Sequence, residues 1–146
     1  MFTGIIQNLG KIINYSKGEL EISTYLDLSS CEVGSSICCN GVCLTASEIN
    51  YNDGKFIFKV NVGEETQLRT NFSTYLFDKS ININIEKSLK IGDEISGHFV
   101  YGHVDCTTKI NNINKLINSW EFYFENFQDK NKKFIVEKGS ICINGI

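Results

Sequence analysis

The chain contains two histidines and six cysteines, whose side chains could carry chemistry near neutral pH. Imidazole titrates near neutral pH, so His98 or His103 could take up and release a proton. A zinc site is a second possibility, because Cys38, Cys39 and Cys43 lie close together in the sequence. Their C-C-x3-C spacing does not match a zinc knuckle, and only the two histidines could supply imidazole. We therefore expect no metal site.

The bulk composition limits the possible partners. The 146 residues are 42% hydrophobic, enough for one ordinary domain or two small ones. Fourteen basic and 17 acidic residues give a net charge of −3 without long runs of either sign, so we expect no nucleic-acid partner. The sequence contains neither a signal peptide nor a stretch of about 20 apolar residues that could cross a bilayer. We expect a cytoplasmic protein with no membrane partner and with reduced thiols.

The hydrophobic pattern predicts an all-β fold. Apolar residues recur at every second position through residues 56–62 and 81–85, the period of a half-buried strand. Turn sequences stand between such runs at Asn40-Gly41, Asn52-Asp53-Gly54 and Ile91-Gly92-Asp93, as hairpin connections should. The spacing favours an antiparallel barrel or sandwich. We predict a closed barrel over residues 1 to about 90, and a short helix or turn over residues 64–71.

An internal repeat divides the chain. Gly34–Val42 returns as Lys138–Ile146, and Gly4–Ile6 aligns with Gly102–Val104 at an offset of 98 residues. The shared Ser-Ile-Cys core of the first pair is offset by 104 residues, a difference that one loop insertion explains. We therefore predict a complete first copy over residues 1–97 and about half of a second copy over residues 98–146.

Four segments, in order, resemble the riboflavin synthase family. Residues 1–6 are similar to its N-terminus, and residues 40–45 to its N-G-x-C-L-T hairpin. Glu65-Thr66 with residues 69–71 resembles its E-T and T-N segment, with slightly altered spacing. Residues 97–105 resemble its G-H-x-x-x-G-H signature. Each motif alone is weak, but four in order are specific, and the resemblance covers the whole chain.

The resemblance implies tandem six-stranded antiparallel Greek-key barrels, here a complete first and a partial second. Each barrel would bind one 6,7-dimethyl-8-ribityllumazine, and the reaction would dismutate two of these into riboflavin and 5-amino-6-(D-ribitylamino)uracil, as a transferase of riboflavin biosynthesis. The family works as a homotrimer without cofactor or metal, with its site between the first barrel of one subunit and the second barrel of a neighbour. Since its second barrel continues beyond the position of Ile146, we expect this copy to lack some catalytic groups.

The ligand suggests which residues bind it. A flat heterocycle needs main-chain groups at its edge, which Gly4–Ile6 and Val42–Leu44 could offer, while Asn61–Thr66 could hold the ribityl hydroxyls. A structural alternative is that Gly4 and Gly63 only permit strand bends. The predicted ligand-binding residues are Gly4, Ile5, Ile6, Val42, Cys43, Leu44, Asn61, Val62, Gly63, Glu64, Glu65, Thr66, His103 and Lys138.

The reaction begins with loss of a proton from the 7-methyl group, and the resulting carbanion attacks C7 of a second molecule. His103 could handle the proton, while Cys43 or Ser36 could add to or orient the acceptor ring, and His98 is a fourth catalytic candidate. The alternatives are structural: both histidines could hydrogen-bond the segment between the barrels, and Cys43 could belong to the core.

Two other functions remain open at this point. One is a non-catalytic protein of the same superfamily that binds lumazine or flavin, and the other is a truncated, inactive homologue. The G-H-x-x-x-G-H segment favours the enzyme, because the resemblance assigns that segment to the synthases.

Overall fold

The computed structural model describes residues 1–126 and 129–146. The chain divides into two compact units, residues 1–104 with 142–146, and residues 105–141. Each unit is built mainly from antiparallel strands, and within the described ranges no helix is long and apolar enough to cross a membrane. The boundary at residue 97 between the repeat copies stays a prediction.

The first unit is a closed six-stranded barrel. Its elements are β1 (Asn8–Ser16), β2 (Glu19–Thr24), β3 (Ser36–Cys39), β4 (Val42–Asn52), β5 (Lys55–Asn61), α1 (Glu64–Arg69), a 3-10 turn (Phe72–Thr74) and β6 (Asn82–Lys87). The strand order is β1-β2-β5-β4-β3-β6, every pairing is antiparallel, and β6 returns to β1. Strands β3, β4 and β5 are joined by hairpins. One Greek key forms because β2 lies beside β5, and a second forms because β6 lies beside β3, so the two motifs share these three strands. The predicted barrel and the predicted short helix are confirmed.

Tight turns with positive φ angles set the hairpins. Asn40 and Gly41 have φ angles of 47° and 83°, and Asp53 and Gly54 have 49° and 78°, as type I′ turns require. Both predicted hairpins are thus confirmed. The prediction of a hairpin at residues 91–93 is wrong: a turn forms there, but no strand follows it. Since β6 already pairs with both β1 and β3, it has no free edge for another strand.

The barrel interior contains the residues that the alternation points inward. Phe58, Val60 and Val62 are buried, whereas Lys59 and Asn61 between them are more exposed. Gly10 leaves room for two core side chains, because a Cβ there would meet Ile85 and would lie 2.7 Å from Ile22 Cγ2. The packing at this point therefore requires a residue without a side chain.

The segment after the barrel runs back to the N-terminus. Phe2 and Val100 form an antiparallel bridge: the Phe2 amide donates to the Val100 carbonyl at 2.7 Å, and the Val100 amide donates to the Phe2 carbonyl at 3.0 Å. The His98 amide donates to the Thr3 carbonyl at 3.0 Å. These bonds fix the direction in which residues 98–104 leave the N-terminal segment.

The second unit contains a hairpin of β7 (Ile110–Lys115) and β8 (Trp120–Phe124), followed by the short helix α2 (Asp129–Lys132). Its register shifts between Ile110 and Asn112, 98 residues after the shift between Ile12 and Asn14 in β1. The hairpin thus repeats the bulge of the β1–β2 hairpin. This match supports the repeat found in the sequence. The partial second sheet also agrees with the predicted all-β fold of one complete and one partial barrel.

Gly10→Ala should destabilise the barrel by ~1–3 kcal/mol, the usual cost of forcing extra carbon into a packed core. Gly63→Ala is the matched control, because Gly63 has φ −67° and a Cβ there would have no neighbour within 4 Å. The control should change the free energy of unfolding by less than about 1 kcal/mol. Urea unfolding of both variants measures the difference, and equal stabilities would contradict tight packing at Gly10.

Candidate ligand-binding site

A cavity of about 350 Å³ lies where β4 begins, beside α1 and residues 102–104. This volume is in the range of roughly 300–1,000 Å³ that small-molecule sites occupy. Its wall carries hydroxyl, thiol, imidazole, guanidinium and carboxylate groups together with two valines. The lining residues are Val42, Cys43, Glu65, Thr66, Arg69, Thr70, Gly102, His103 and Val104.

The β4 side of the cavity follows directly from the Asn40-Gly41 turn. The Asn40 side chain accepts from the Asn84 amide at 2.7 Å and donates to the Tyr75 hydroxyl at 3.0 Å, which fixes the turn that starts β4. The Cys43 amide then donates to the Gly102 carbonyl at 2.8 Å. Gly102 has φ 75°, and a Cβ there would lie 2.7 Å from the Cys43 nitrogen. Only glycine therefore lets the chain bring His103 this close to β4.

Another part of the wall comes from α1 and the residue that follows it. Arg69 stands four residues after Glu65 and three after Thr66, so these three side chains lie on one side of the helix, and Thr70 follows as the C-cap residue. The Thr70 hydroxyl donates to the Thr66 carbonyl at 2.6 Å, and Arg69 Nε donates to Glu65 Oε1 at 2.9 Å. This face offers hydroxyl groups and both signs of charge to a polar ligand.

The thiols near the site differ in burial. Burial raises the pKa of the Cys38 thiol to about 12 and raises the pKa of the Cys39 thiol well above its ordinary value. Both are therefore neutral thiols at physiological pH and act as small apolar core residues. Cys43 is only partly buried and lines the cavity.

The two histidines have different surroundings. His103 is exposed and lines the cavity. His98 lies against the N-terminal segment, since a Cβ on Gly4 would be 3.1 Å from His98 Cε1. Its Nε2 atom is buried, and no protein group in the described part of the chain hydrogen-bonds to it. His103, rather than His98, is placed to meet a molecule in this cavity.

Comparison with known proteins assigns the family. Residues 3–87 match the family described as lumazine binding domain. The chain is 34% identical over 152 residues to riboflavin synthase of Buchnera aphidicola subsp. Baizongia pistaciae, covering all of this chain and 68% of that protein. The riboflavin synthases of Saccharomyces cerevisiae and Escherichia coli K12 are 35% and 33% identical, and the chain covers 63% and 68% of their lengths. The chain belongs to the riboflavin synthase family.

Membership of this enzyme family agrees with the resemblance seen in the sequence. The chain spans about two thirds of the length of these relatives. Two solved structures share the fold. A crystal structure of LumP complexed with riboflavin superimposes with a TM-score of 0.77 at 22% identity, covering 100% of this chain and 78% of LumP. A second LumP structure, with 6,7-dimethyl-8-(1'-D-ribityl) lumazine, has a TM-score of 0.66 at 19% identity and covers 88% of this chain and 71% of LumP.

Three of the four motifs that resemble the riboflavin synthases contribute residues to the cavity wall. Five of the predicted site residues line the cavity, namely Val42, Cys43, Glu65, Thr66 and His103. Three others follow one another in the chain around the start of α1: Val62 is buried, Gly63 precedes the helix and Glu64 is its first residue. Their roles in binding or catalysis stay predictions.

Other predicted residues lie outside the cavity wall. The Gly4 amide donates to Glu86 Oε2 at 3.1 Å and the Ile5 amide donates to Thr3 Oγ1 at 3.2 Å, so these two amides already have partners. Ser36 is in β3 opposite Thr45. The remaining residues lie in the core, on the surface or in the second unit: Leu44 is buried, Ile6 is partly buried, Asn61 is exposed, and Lys138 is exposed in the second unit.

The sequence interpretation missed four residues of the wall, Arg69, Thr70, Gly102 and Val104. Their signals were present but indirect. Arg69 and Thr70 follow Glu65 and Thr66 at helical spacing, and Gly102 and Val104 flank His103. A helical projection of residues 64–70 would have placed the first pair on the same face.

Alkylation of the native protein with iodoacetamide at about pH 8 should discriminate the thiols. Cys106 is exposed and should react first. Cys38 and Cys39 should stay unmodified, because the attacking species is the thiolate and burial raises their pKa still further above this pH. In urea all six thiols should react. Peptide mass spectrometry measures the extent at each position. Labelling of native Cys38 as fast as Cys106 would contradict the buried placement.

Proposed function

We propose that the cavity binds 6,7-dimethyl-8-ribityllumazine and that the protein catalyses its dismutation to riboflavin and 5-amino-6-(D-ribitylamino)uracil. The observation that supports this most is the meeting of Cys43, Thr66 and His103 at one cavity, although they come from three segments far apart in the sequence. They belong to three of the four segments whose motifs resemble the riboflavin synthases.

The wall suits both parts of such a ligand. The ring is flat, so Val42 and Val104 can contact its faces, while polar groups satisfy its edge. The ribityl chain carries hydroxyl groups that can donate and accept. Thr66, Glu65 and Arg69 on α1 supply a hydroxyl, an acceptor and a donor within the same wall.

Each reacting step then has a residue of suitable chemistry. His103 takes the proton lost from the 7-methyl group, because histidine is the side chain most often used for general acid–base catalysis. Cys43, which lines the same cavity, adds to or orients the acceptor ring. The carbanion formed in the first step attacks C7 of the second molecule.

The exposure of His103 bears on the assembly. A proton-transfer site works best where water is excluded, and His103 is exposed in the single chain. We propose that a neighbouring subunit covers the cavity in a homotrimer and brings the second lumazine. We also place the protein in the cytoplasm, where its thiols would stay reduced.

A non-catalytic role in lumazine or flavin binding is the second candidate. It is favoured by the shared fold of LumP, whose crystal structures contain riboflavin and ribityllumazine. The two functions differ in turnover. A binding protein would show saturable binding of ribityllumazine without riboflavin formation, whereas the enzyme would show both.

Thr66→Val should weaken ribityllumazine binding by about 5- to 150-fold, which corresponds to ~1–3 kcal/mol for an unpaired polar group of the ligand. Valine keeps the shape of threonine and removes only the hydroxyl. Thr66→Ser restores a hydroxyl and should recover most of the affinity. Fluorescence titration gives the dissociation constants, and equal values for all three proteins would place the ribityl chain elsewhere.

His103→Ala should lower riboflavin formation by ~10²–10⁴-fold, the range for losing a general acid or base, with a much smaller effect on binding. The measurement is steady-state riboflavin formation from ribityllumazine between about pH 5 and pH 9. His98→Ala is the comparison, since His98 lies outside the cavity wall. If His103→Ala forms riboflavin as fast as the unaltered protein across this pH range, His103 is excluded from catalysis.

A further inference from the structure

Glu86 on β6 breaks the pattern of its strand. Ile83 and Ile85 point into the barrel, so Glu86 faces outward, yet its side chain is only 1% exposed. None of the ion pairs among the described residues involves it. A buried carboxylate without a cationic partner is costly unless hydrogen bonds satisfy it. Its burial therefore requires hydrogen-bond donors from another part of the chain.

The N-terminal segment supplies those donors. The Thr3 amide and the Thr3 hydroxyl donate to Glu86 Oε1 at 2.6 Å and 2.7 Å, and the Gly4 amide donates to Glu86 Oε2 at 3.1 Å. Hydrogen bonds to a charged acceptor are stronger than those between neutral groups. Thr3 and Glu86 are 83 residues apart in the sequence, so these bonds fasten the N-terminus to the last strand of the barrel.

The N-terminal segment in turn holds the segment that leads to His103. Thr3 accepts from the His98 amide, and Phe2 forms the two-bond bridge with Val100. Two residues later, the Gly102 carbonyl accepts from the Cys43 amide. Residues 98–102 are therefore fixed at one end by Thr3 and Phe2 and at the other end by β4. His103 follows directly and lines the cavity.

We propose that Glu86 is a positioning residue for the candidate site, acting through Thr3 and residues 98–102 to place His103 against Cys43. The role of His103 in the reaction rests on the proposed function, but its placement by Glu86 does not. A carboxylate is required because its two oxygens accept three donors. The amide of glutamine has one oxygen acceptor and would turn an NH₂ group toward N–H or O–H donors.

The test is Glu86→Gln, with Glu19→Gln as the matched control on the exposed surface of β2. The chain has only two histidines, so their imidazole signals can be assigned readily by NMR. We expect both imidazole signals to shift or broaden in Glu86→Gln and to stay in place in the control, while circular dichroism shows a folded barrel in each. Ribityllumazine affinity should fall by about tenfold or more in Glu86→Gln alone, by loss of the positioned wall.

A milder pair of variants covers the case in which Glu86→Gln does not fold. Thr3→Val removes the hydroxyl donor and keeps the amide bonds, and Thr3→Ser restores a hydroxyl. The first should move the imidazole signals and the second should return them. Unchanged imidazole signals in a folded Glu86→Gln or Thr3→Val protein would overturn the proposal, even with lowered stability. If the unaltered protein does not bind ribityllumazine, the proposed function is overturned. The imidazole signals then still decide whether Glu86 positions His103.

Discussion

Closure of the barrel by β6 is the constraint on which the candidate site depends. Because β6 pairs with β1 on one edge and β3 on the other, the chain that follows cannot extend the sheet. Its hydrogen bonds are instead met by the N-terminal segment through Thr3 and Phe2 and by β4 through Cys43. This route brings His103 next to a strand that the chain left some 50 residues earlier. The cavity is thus a consequence of how the barrel ends.

Corresponding parts of the repeat contact each other. Phe2 pairs with Val100, its counterpart 98 residues later. Gly41 and Gly145, counterparts at an offset of 104, approach so closely that a Cβ on Gly41 would lie 2.6 Å from the Gly145 nitrogen. The contact explains why glycine stands in both Asn-Gly turns, beyond the demands of the turn itself.

The barrel could be predicted from the sequence because its strands and hairpins depend on alternating apolar residues and on turn residues that are close together in the chain. Alternation placed Phe58 and Val60 inside, and Asn40-Gly41 marked a type I′ hairpin. The Lys17-Gly18 turn, with φ angles of 52° and 83°, was missed because lysine gives no turn signal. Glu86 could not be foreseen either. A carboxylate that directly follows a core residue of a strand is expected to face water, and the group that buries it lies 83 residues away.

The repeat also relates Gly4–Ile6 to the segment that reaches the cavity. Gly4 and Gly102 are counterparts, and both have positive φ angles, 82° and 75°. Gly102 carries His103 to the cavity beside Cys43, whereas the Gly4 and Ile5 amides donate to Glu86 and Thr3. The sequence predicted both segments as parts of one site, because an alignment shows that two segments are equivalent but not which of them reaches the cavity. Ile5, at the counterpart position of His103, is 48% exposed and lies outside the cavity wall.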